Sequence, residues 1–243
     1  MDKIFVKGGK KLNGKIKIGG AKNAVLPIMT ACLLAPGQYK LTNVPNLKDT
    51  RTMSELLRRI GAEVSYENHV LTINTENCNN PEAPYDLVKT MRASFYVLGP
   101  LISRFGMSKV SLPGGCAWGP RPVDYHIKAF KEMGAEIELD SGYIIAKGNL
   151  VGTEINFENV SVGATGNILM GAVTAKGTTI INNAAQEPEI TLLCEFLIQM
   201  GAKISGLDSN TLIINGVDKL NFVEEFEIVP DRIEAGTFLI ATA

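Results

Sequence analysis

Residues 60–64, Ile60-Gly61-Ala62-Glu63-Val64, form a motif that occurs three times in the chain. It returns as Met133-Gly134-Ala135-Glu136-Ile137 and as Met200-Gly201-Ala202-Lys203-Ile204. In each copy a glycine closes an amphipathic helix and a strand follows at once, which is a common way for a helix to end. The copies lie about 70 residues apart, a longer period than that of most solenoid repeats. The motif therefore predicts three large repeated units.

The same order of elements surrounds each copy of the motif. In the first unit, residues 24–74, an apolar helix leads to a strand, a second helix and a hairpin. The second unit repeats this order from a first helix at 87–103 up to residue 146, and the third repeats it over 163–215. Because the first helix of each unit is apolar nearly all round, we expect a pseudo-threefold α/β domain with helices inside and sheets outside.

A fourth copy of the first helix begins at Pro230 and reaches Ala243, the last residue. The strands and second helix that follow it in the other units have no counterpart in the sequence. The apolar side chains of Phe238, Leu239 and Ile240 would therefore lack the partners that the other units supply. We expect the chain to be a fragment of a longer protein.

Composition narrows the class of protein. The chain has 24 basic and 25 acidic residues and a net charge of -1, which gives no reason to expect a nucleic acid or an anionic membrane as partner. Its apolar runs are too short for a membrane span, and its first residues lack a signal core, so we expect a cytoplasmic protein. Four cysteines without C-x-x-C spacing and two isolated histidines predict neither a metal site nor disulfides, and we expect no cofactor.

One loop interrupts the repeat, Pro113-Gly114-Gly115-Cys116-Ala117-Trp118-Gly119-Pro120-Arg121-Pro122-Val123-Asp124. It makes the second unit longer than the first between strand and second helix, and an insertion in one copy of a repeat indicates function. Cys116 is a candidate nucleophile or proton donor, because a cation and a helix start lower a thiol pKa. An incidental loop thiol is the alternative for Cys116. For Asp124, the alternative to a ligand contact is a carboxylate that supports the start of the helix.

Polar residues also open the first helix of each unit. Lys22 and Asn23 follow a glycine pair in the first unit, and a lysine at a helix start can hold a phosphate, although a solvated charge is the usual role. Arg92 has the matching place in the second unit, and Thr165 with Asn167 in the third. We expect these groups to converge around the pseudo-threefold axis.

With these residues in view, the chain resembles the UDP-N-acetylglucosamine enolpyruvyl transferases (1-carboxyvinyltransferases) of peptidoglycan synthesis. The resemblance runs over the whole length and rests on five segments: 19–24, 89–94, 113–124, 161–165 and 230–234. It implies two inside-out α/β domains, one complete at 22–229 and one represented by 1–21 and 230–243. It also implies transfer of the enolpyruvyl group of phosphoenolpyruvate to the 3-hydroxyl of UDP-N-acetylglucosamine with release of phosphate.

The resemblance also implies roles for single residues. Cys116 matches the proton donor that fosfomycin alkylates, and Lys22 and Arg121 match catalytic cations around phosphoenolpyruvate, which Asn23 also contacts. The positions that match the UDP-sugar site are Asn23, Arg92, Arg121, Pro122, Val123, Asp124, Tyr125, Ser161, Val162 and Gly163.

The sequence departs from the family at three positions near this site and in its length. Tyr125, Trp118 and Asn159 stand where leucine, a smaller apolar residue and, in some members, lysine are found. The family places an aspartate base and further arginines in a C-terminal portion that this sequence lacks, so we expect the chain alone to be a poor catalyst. A noncatalytic UDP-sugar-binding or interaction module and the sister shikimate-pathway transferase, which would not need the cysteine loop, are the alternatives.

Overall fold

Three four-stranded sheets surround a group of apolar helices in the computed structural model, which describes residues 3–9, 11–112 and 123–242. The helices are α1 (Lys22–Ala31), α2 (Lys48–Ile60), α3 (Tyr85–Val88), α4 (Leu98–Phe105), α5 (Asp124–Glu132), α6 (Val162–Ala172), α7 (Pro188–Gln199) and α8 (Arg232–Thr242). The strands are β1 (Gln38–Thr42), β2 (Glu63–Glu67), β3 (Val70–Asn74), β4 (Glu82–Ala83), β5 (Met107–Ser111), β6 (Glu136–Asp140), β7 (Tyr143–Lys147), β8 (Glu154–Asn156), β9 (Thr178–Asn182), β10 (Lys203–Ser205), β11 (Thr211–Asn215) and β12 (Glu225–Glu227).

The three sheets have one topology. Their strand orders are β12-β1-β3-β2, β4-β5-β7-β6 and β8-β9-β11-β10. In each sheet the first pair is parallel and the other two pairs are antiparallel, as in the first sheet, where Leu41 faces Phe226 on one side and Leu71 on the other. Because β12 follows the third unit and pairs with the first, the chain closes a ring of three units. The predicted pseudo-threefold repeat is confirmed.

The central helices explain why the repeat needs apolar sequences. Eight of the ten residues of α1 are buried, as are nine of the eleven residues of α6. A helix that is apolar all round must lie inside a core, since it has no face to offer to water. The sheets cover these helices from outside and alternate inward and outward residues; in β1, for example, Tyr39 and Leu41 are buried and their neighbours face outward.

The first and third units share a turn after their first long strand. Asn43 follows β1 with φ 54°, and Asn183 follows β9 with φ 55°. Asparagine tolerates this left-handed conformation, and each side chain donates to a carbonyl, that of Ile228 at 2.7 Å and that of Phe157 at 3.0 Å. Leu112, the last described residue before the cysteine loop, has the matching place after β5, and its side chain cannot donate in this way.

Helices α4 and α6 approach each other most closely at Gly99. Its backbone N–H donates to Asn167 Oδ1 at 2.7 Å, and a Cβ built on Gly99 would overlap the backbone oxygen of Asn167. Glycine is therefore required here by the distance between two backbones rather than by its own dihedral angles. This contact fixes Asn167, which the functional site uses.

Replacing Gly99 by alanine is expected to lower the free energy of unfolding by about 3 kcal/mol, because overpacking against a backbone cannot be relieved by a rotamer change. The matched control is Gly236→Ala in α8, where nothing lies within 4 Å of the added Cβ. There we expect a neutral effect or a gain of about 1 kcal/mol from helix propensity. Urea denaturation of the two variants measures the difference, and equal stabilities would contradict the close contact.

Three details of the fold were predicted wrongly or missed. The helix expected at 87–103 is divided into α3, a 3-10 helix at Arg92–Val97 and α4. Pro100 explains where α4 begins, since its missing N–H is tolerated only in a first turn, and α4 begins two residues before it. The break before the 3-10 helix falls at Met91, which is extended. The short edge strands β4, β8 and β12 were not predicted. Cys78 is buried, which the polar residues around it do not indicate.

The fourth copy of the first helix forms α8, which contains no buried residue. Its apolar side chains Phe238, Leu239 and Ile240 are 38%, 70% and 79% exposed. Just before this helix, residues 229–231 pair with residues 19–21. The N–H of Ala21 donates to the carbonyl of Val229 at 2.8 Å, and the N–H of Asp231 donates to the carbonyl of Gly19 at 2.8 Å. Within the described residues, no helix has the length and apolar character needed to cross a membrane.

Candidate functional site

A cavity of about 670 Å³ opens where the helix starts of the three units meet. Its walls come from the N-terminus of α1, the 3-10 helix at Arg92–Val97, the start of α5 and the N-termini of α6 and α7. Basic, acidic and backbone polar groups therefore face one space, as the repeat predicts. The lining residues are Lys22, Asn23, Leu26, Pro27, Asp49, Thr90, Met91, Arg92, Ala93, Phe95, Tyr96, Val123, His126, Val160, Ser161, Val162, Gly163, Glu187, Glu189 and Arg232.

Lys22 and Asn23 are the first two residues of α1 and reach the cavity from the first unit. The Lys22 ammonium lies 3.3 Å from a carboxylate oxygen of Asp49, and the lysine side chain is 42% exposed. An exposed pair of this kind contributes little to stability, so the ammonium is free to exchange its partner for a ligand anion. The Lys22 ammonium is thus held at the cavity mouth, and the fold does not depend on its ion pair with Asp49.

The N-terminus of α6 presents backbone donors from the third unit. Ser161 is the N-cap, and its Oγ accepts from the N–H of Ala164 at 3.3 Å. Within the described part of the chain, the N–H groups of Val162 and Gly163 have no acceptor, and both residues line the cavity. Free amides and the helix dipole make such an end suitable for an anion.

His126 lies on α5 at the back of the cavity and is 6% exposed. Burial, with a smaller effect from the nearby Arg92 guanidinium, lowers the pKa of His126 to about 3. The imidazole is therefore neutral at physiological pH. Its Nδ1 lies 3.0 Å from Asn167 Nδ2, and its ring meets the ring of Phe95 edge-on at 4.9 Å.

Arg232 and Glu189 form a two-point ion pair at one side of the cavity. Arg232 Nε and Nη2 donate to the two carboxylate oxygens at 3.0 and 3.2 Å, and Glu189 is buried. The hydrogen bonds and charge of Glu189 raise the pKa of Arg232 above its usual value. This planar, two-point pairing fixes both side chains more firmly than a single contact would.

Asp231 joins the start of α1 to the start of α8. Its Oδ2 accepts from the Lys22 N–H at 3.2 Å, and its Oδ1 accepts from the N–H groups of Ile233 and Glu234 at 2.8 and 3.1 Å. Partial burial alone would raise the pKa of Asp231, but these backbone donors and the adjacent Arg232 lower it below its usual value. One carboxylate thus caps two helices beside the cavity.

The structure brings seven of the predicted site residues to this cavity, namely Lys22, Asn23, Arg92, Val123, Ser161, Val162 and Gly163. Asp124, an exposed residue in the first turn of α5, and Tyr125 are not among the described lining residues. Cys116, Arg121 and Pro122 lie outside the described residues. Their predicted roles therefore stay predictions.

Two of the three residues that were expected to depart from the family contact each other. Asn159 Nδ2 donates to the Tyr125 hydroxyl at 3.1 Å, and the Tyr125 ring packs on the Phe157 ring at 5.6 Å. A leucine and a lysine could not form this hydrogen bond. The contact joins the start of α5 to the segment before α6.

Sequence reasoning missed Asp49, His126, Glu189 and Arg232 as cavity residues. A signal for two of them was present, because the second helix of every unit carries an acid in its first turn: Asp49, Asp124 and Glu189. His126 gave no signal, since its partner Asn167 lies 41 positions away. Asn167 itself was expected at the cavity, but it lies in the core behind His126.

Comparison with known proteins decides the family. Residues 6–243 match the family model described as EPSP synthase (3-phosphoshikimate 1-carboxyvinyltransferase). The chain belongs to the EPSP synthase family. Two solved members share its fold: the enolpyruvyl transferase NikO from Streptomyces tendae, with a TM-score of 0.85 at 24% identity over 96% of this chain and 56% of that one, and an EPSP synthase from Acinetobacter baumannii, with a TM-score of 0.76 at 20% identity, covering 96% and 53%. The predicted inside-out α/β fold is confirmed.

Within the EPSP synthase family, the chain is similar over its full length to proteins named UDP-N-acetylglucosamine 1-carboxyvinyltransferase. It is 57% identical to the one from Chloroherpeton thalassium and 54% identical to the one from Chlorobaculum parvum. It spans only 57% and 58% of the lengths of these two relatives. The resemblance seen in the sequence is confirmed.

Proposed function

We propose that the chain is the UDP-sugar-binding part of a UDP-N-acetylglucosamine 1-carboxyvinyltransferase. The reaction moves the enolpyruvyl group of phosphoenolpyruvate to the 3-hydroxyl of UDP-N-acetylglucosamine and releases phosphate. The observation that carries the proposal is the meeting of Lys22, Arg92 and the α6 N-terminus at one cavity. Both substrates are phosphate-bearing anions, and these are groups that bind phosphate.

The α6 N-terminus suits the diphosphate of the UDP-sugar. The free N–H groups of Val162 and Gly163 offer donors in fixed directions, and Ser161 holds the turn by capping Ala164. Arg92, which also lines the cavity, adds a positive charge. We place the nucleotide toward Val123, Asp124 and Tyr125, because they lie at the start of α5, where Val123 lines the cavity. The resemblance adds Arg121 and Pro122 to the residues that bind the UDP-sugar.

Phosphoenolpyruvate belongs at the opposite end of the cavity, against Lys22 and Asn23, with Arg121 as a second cation. Protonation of the methylene carbon makes the adjacent carbon oxocarbenium-like. The reaction therefore needs an acid near the methylene carbon and cations around the phosphate. We assign the acid to Cys116. The Lys22 ammonium would leave Asp49 and stabilise the phosphate as its charge develops.

The three described cysteines cannot take the role assigned to Cys116. Cys32, Cys78 and Cys194 are buried. Burial raises the pKa of all three thiols, that of Cys194 to about 12 with a contribution from Glu195 and Asp208. These thiols stay protonated and out of reach of a substrate.

Sequence identity favours UDP-N-acetylglucosamine as the substrate over the substrate of EPSP synthase. The chain shares 57% identity with a protein named for UDP-N-acetylglucosamine and only 20% with an EPSP synthase of solved structure. A noncatalytic UDP-sugar-binding module is the second candidate, and the chain's coverage of 57% of that relative favours considering it.

The domain division extends the same proposal. We propose that residues 22–229 form a three-unit domain and that 1–21 and 230–243 belong to a second one. The pairing of β12 with β1 supports this, because it closes the ring of sheets before residue 230. The exposed apolar side chains of α8 support it as well. From the proposed substrates we also infer a role in peptidoglycan synthesis and a cytoplasmic location.

Phosphate release tests the function directly. The chain is incubated with phosphoenolpyruvate, with and without UDP-N-acetylglucosamine, while binding of the UDP-sugar is followed by calorimetry. Release that requires the UDP-sugar, even at the low rate expected of a chain that spans 57% of its relative's length, is the result expected of the transferase. Binding without release would indicate the noncatalytic module, and the absence of binding would contradict both candidates.

A further inference from the structure

The orientation of the Asn167 amide is fixed by two backbone groups. Its Oδ1 accepts from the Gly99 N–H at 2.7 Å, and a backbone N–H can only donate. Its Nδ2 lies 2.9 Å from the Phe95 carbonyl, which can only accept. The two contacts agree, so the amide nitrogen faces His126.

The Asn167 amide in turn fixes the tautomer of His126. The second N–H of Nδ2 donates to His126 Nδ1 at 3.0 Å, so Nδ1 carries no proton. The proton of the neutral ring must then be on Nε2. Burial and, to a smaller degree, the charge of Arg92 keep the imidazole neutral.

The Nε2 atom of His126 is directed toward the N-terminal turn of α6. A Cβ built on Gly163 would lie 3.6 Å from Nε2, so the imidazole edge faces this residue across the cavity wall. Within the described residues, Nε2 has no hydrogen-bond partner. His126 lines the cavity, so a ligand that accepts from Nε2 would gain a hydrogen bond from a donor whose direction is already fixed.

We propose that Asn167 is a positioning residue that holds His126 in the Nε2–H tautomer, so that the imidazole donates to the diphosphate bound at the α6 N-terminus. This inference rests on the proposed function and deepens it. It adds a third donor beside the amides of Val162 and Gly163. The donor is neutral and needs no change of protonation when the ligand binds or leaves.

The tautomer is measured by two-bond ¹H–¹⁵N spectroscopy of the chain labelled in its two histidines, with His69→Gln to assign the signals. We expect a pyridine-type Nδ1 and a pyrrole-type Nε2 for His126 from pH 8 to pH 5. The Nε2 signal should move on addition of UDP-N-acetylglucosamine or UDP, and it should not move with N-acetylglucosamine. The Asn167→Asp variant should move the proton to Nδ1 or protonate the ring.

A matched pair of variants tests the donor by affinity. The Gln side chain can place its amide nitrogen near the Nε2 position, so His126→Gln should keep the affinity for UDP-N-acetylglucosamine within about threefold. The Asn side chain reaches only the Nδ1 position, so His126→Asn should weaken it about tenfold, as expected for a lost hydrogen bond to a charged group.

Three results would overturn the proposal. An Nδ1–H tautomer or a charged ring at pH 7 in the ligand-free wild type would remove its basis without any variant having to fold. Ligand binding with no response at Nε2, or equal affinities of the Gln and Asn variants, would remove the donor role and leave the proposed function intact. Failure of the wild type to bind UDP-N-acetylglucosamine or UDP would overturn the donor role and the proposed function together.

Discussion

Replacing Lys22 by glutamine is expected to slow the alkylation of Cys116 by fosfomycin about 100-fold. Fosfomycin carries a phosphonate, and we assign to Lys22 the cation that holds such an anion beside the thiol. Loss of a hydrogen bond between two charged groups costs about 1.5 to 3 kcal/mol, which corresponds to roughly ten- to 100-fold. We expect the upper part of this range, because the half-buried Asp49 is the one carboxylate that pairs with the ammonium among the described residues. Mass spectrometry of the intact chain over time gives the rate.

The control for Lys22→Gln is Lys40→Gln. Lys40 is also a lysine in an exposed ion pair, 2.8 Å from Glu225, with a side chain that is 48% exposed. It lies on β1 and does not line the cavity. This variant should react like the wild type. Equal rates for both variants, or an adduct on a cysteine other than Cys116, would contradict the assignments of Lys22 and Cys116.

Acid is expected to destabilise the protein through His126. The pKa of this residue is about 3 in the folded chain and near 6.5 when unfolded, so the unfolded chain binds the extra proton first as the pH falls. The stabilisation is complete above pH 6.5 and is lost as the pH falls toward 3. Linkage gives at most about 1.4 kcal/mol per pH unit, or about 3 kcal/mol between pH 6.5 and pH 4.

Urea denaturation between pH 4 and pH 7.5 measures this loss. The glutamine of His126→Gln cannot titrate. Between pH 6.5 and pH 4 the free energy of unfolding of this variant should therefore fall by about 3 kcal/mol less than that of the wild type, whatever its absolute stability. His69, in the hairpin turn between β2 and β3, is the only other histidine, and His69→Gln should keep the slope of the wild type. A wild-type slope in His126→Gln would show that this ring is not buried in its neutral form.

The fold was largely predictable because its signals are local and repeated. The glycines at 61, 134 and 201 end helices in the left-handed conformation that glycine favours, so the helix ends could be predicted. The helices that are apolar all round can only lie inside. The edge strands β4, β8 and β12 were not predictable in this way. They contain two or three residues each and exist only because a neighbouring strand offers free hydrogen-bonding groups.

The site was predictable where it uses helix starts and not where it uses side chains that meet through the fold. The repeat alone indicated that Lys22 and Arg92 would converge, while Ser161 was indicated by the resemblance, and all three line the cavity. The Arg232 and Glu189 pair and the His126 and Asn167 pair join residues far apart in sequence, and their chemistry appears only when α6, α7 and α8 are in place.

The central claim is that the cavity at the three helix starts binds a UDP-sugar by its diphosphate. A crystal structure of the chain with UDP-N-acetylglucosamine tests this most directly. We expect diphosphate oxygens within hydrogen-bond distance of the N–H groups of Val162 and Gly163. A ligand bound elsewhere, or bound in the cavity with its diphosphate turned away from the α6 N-terminus, would contradict it.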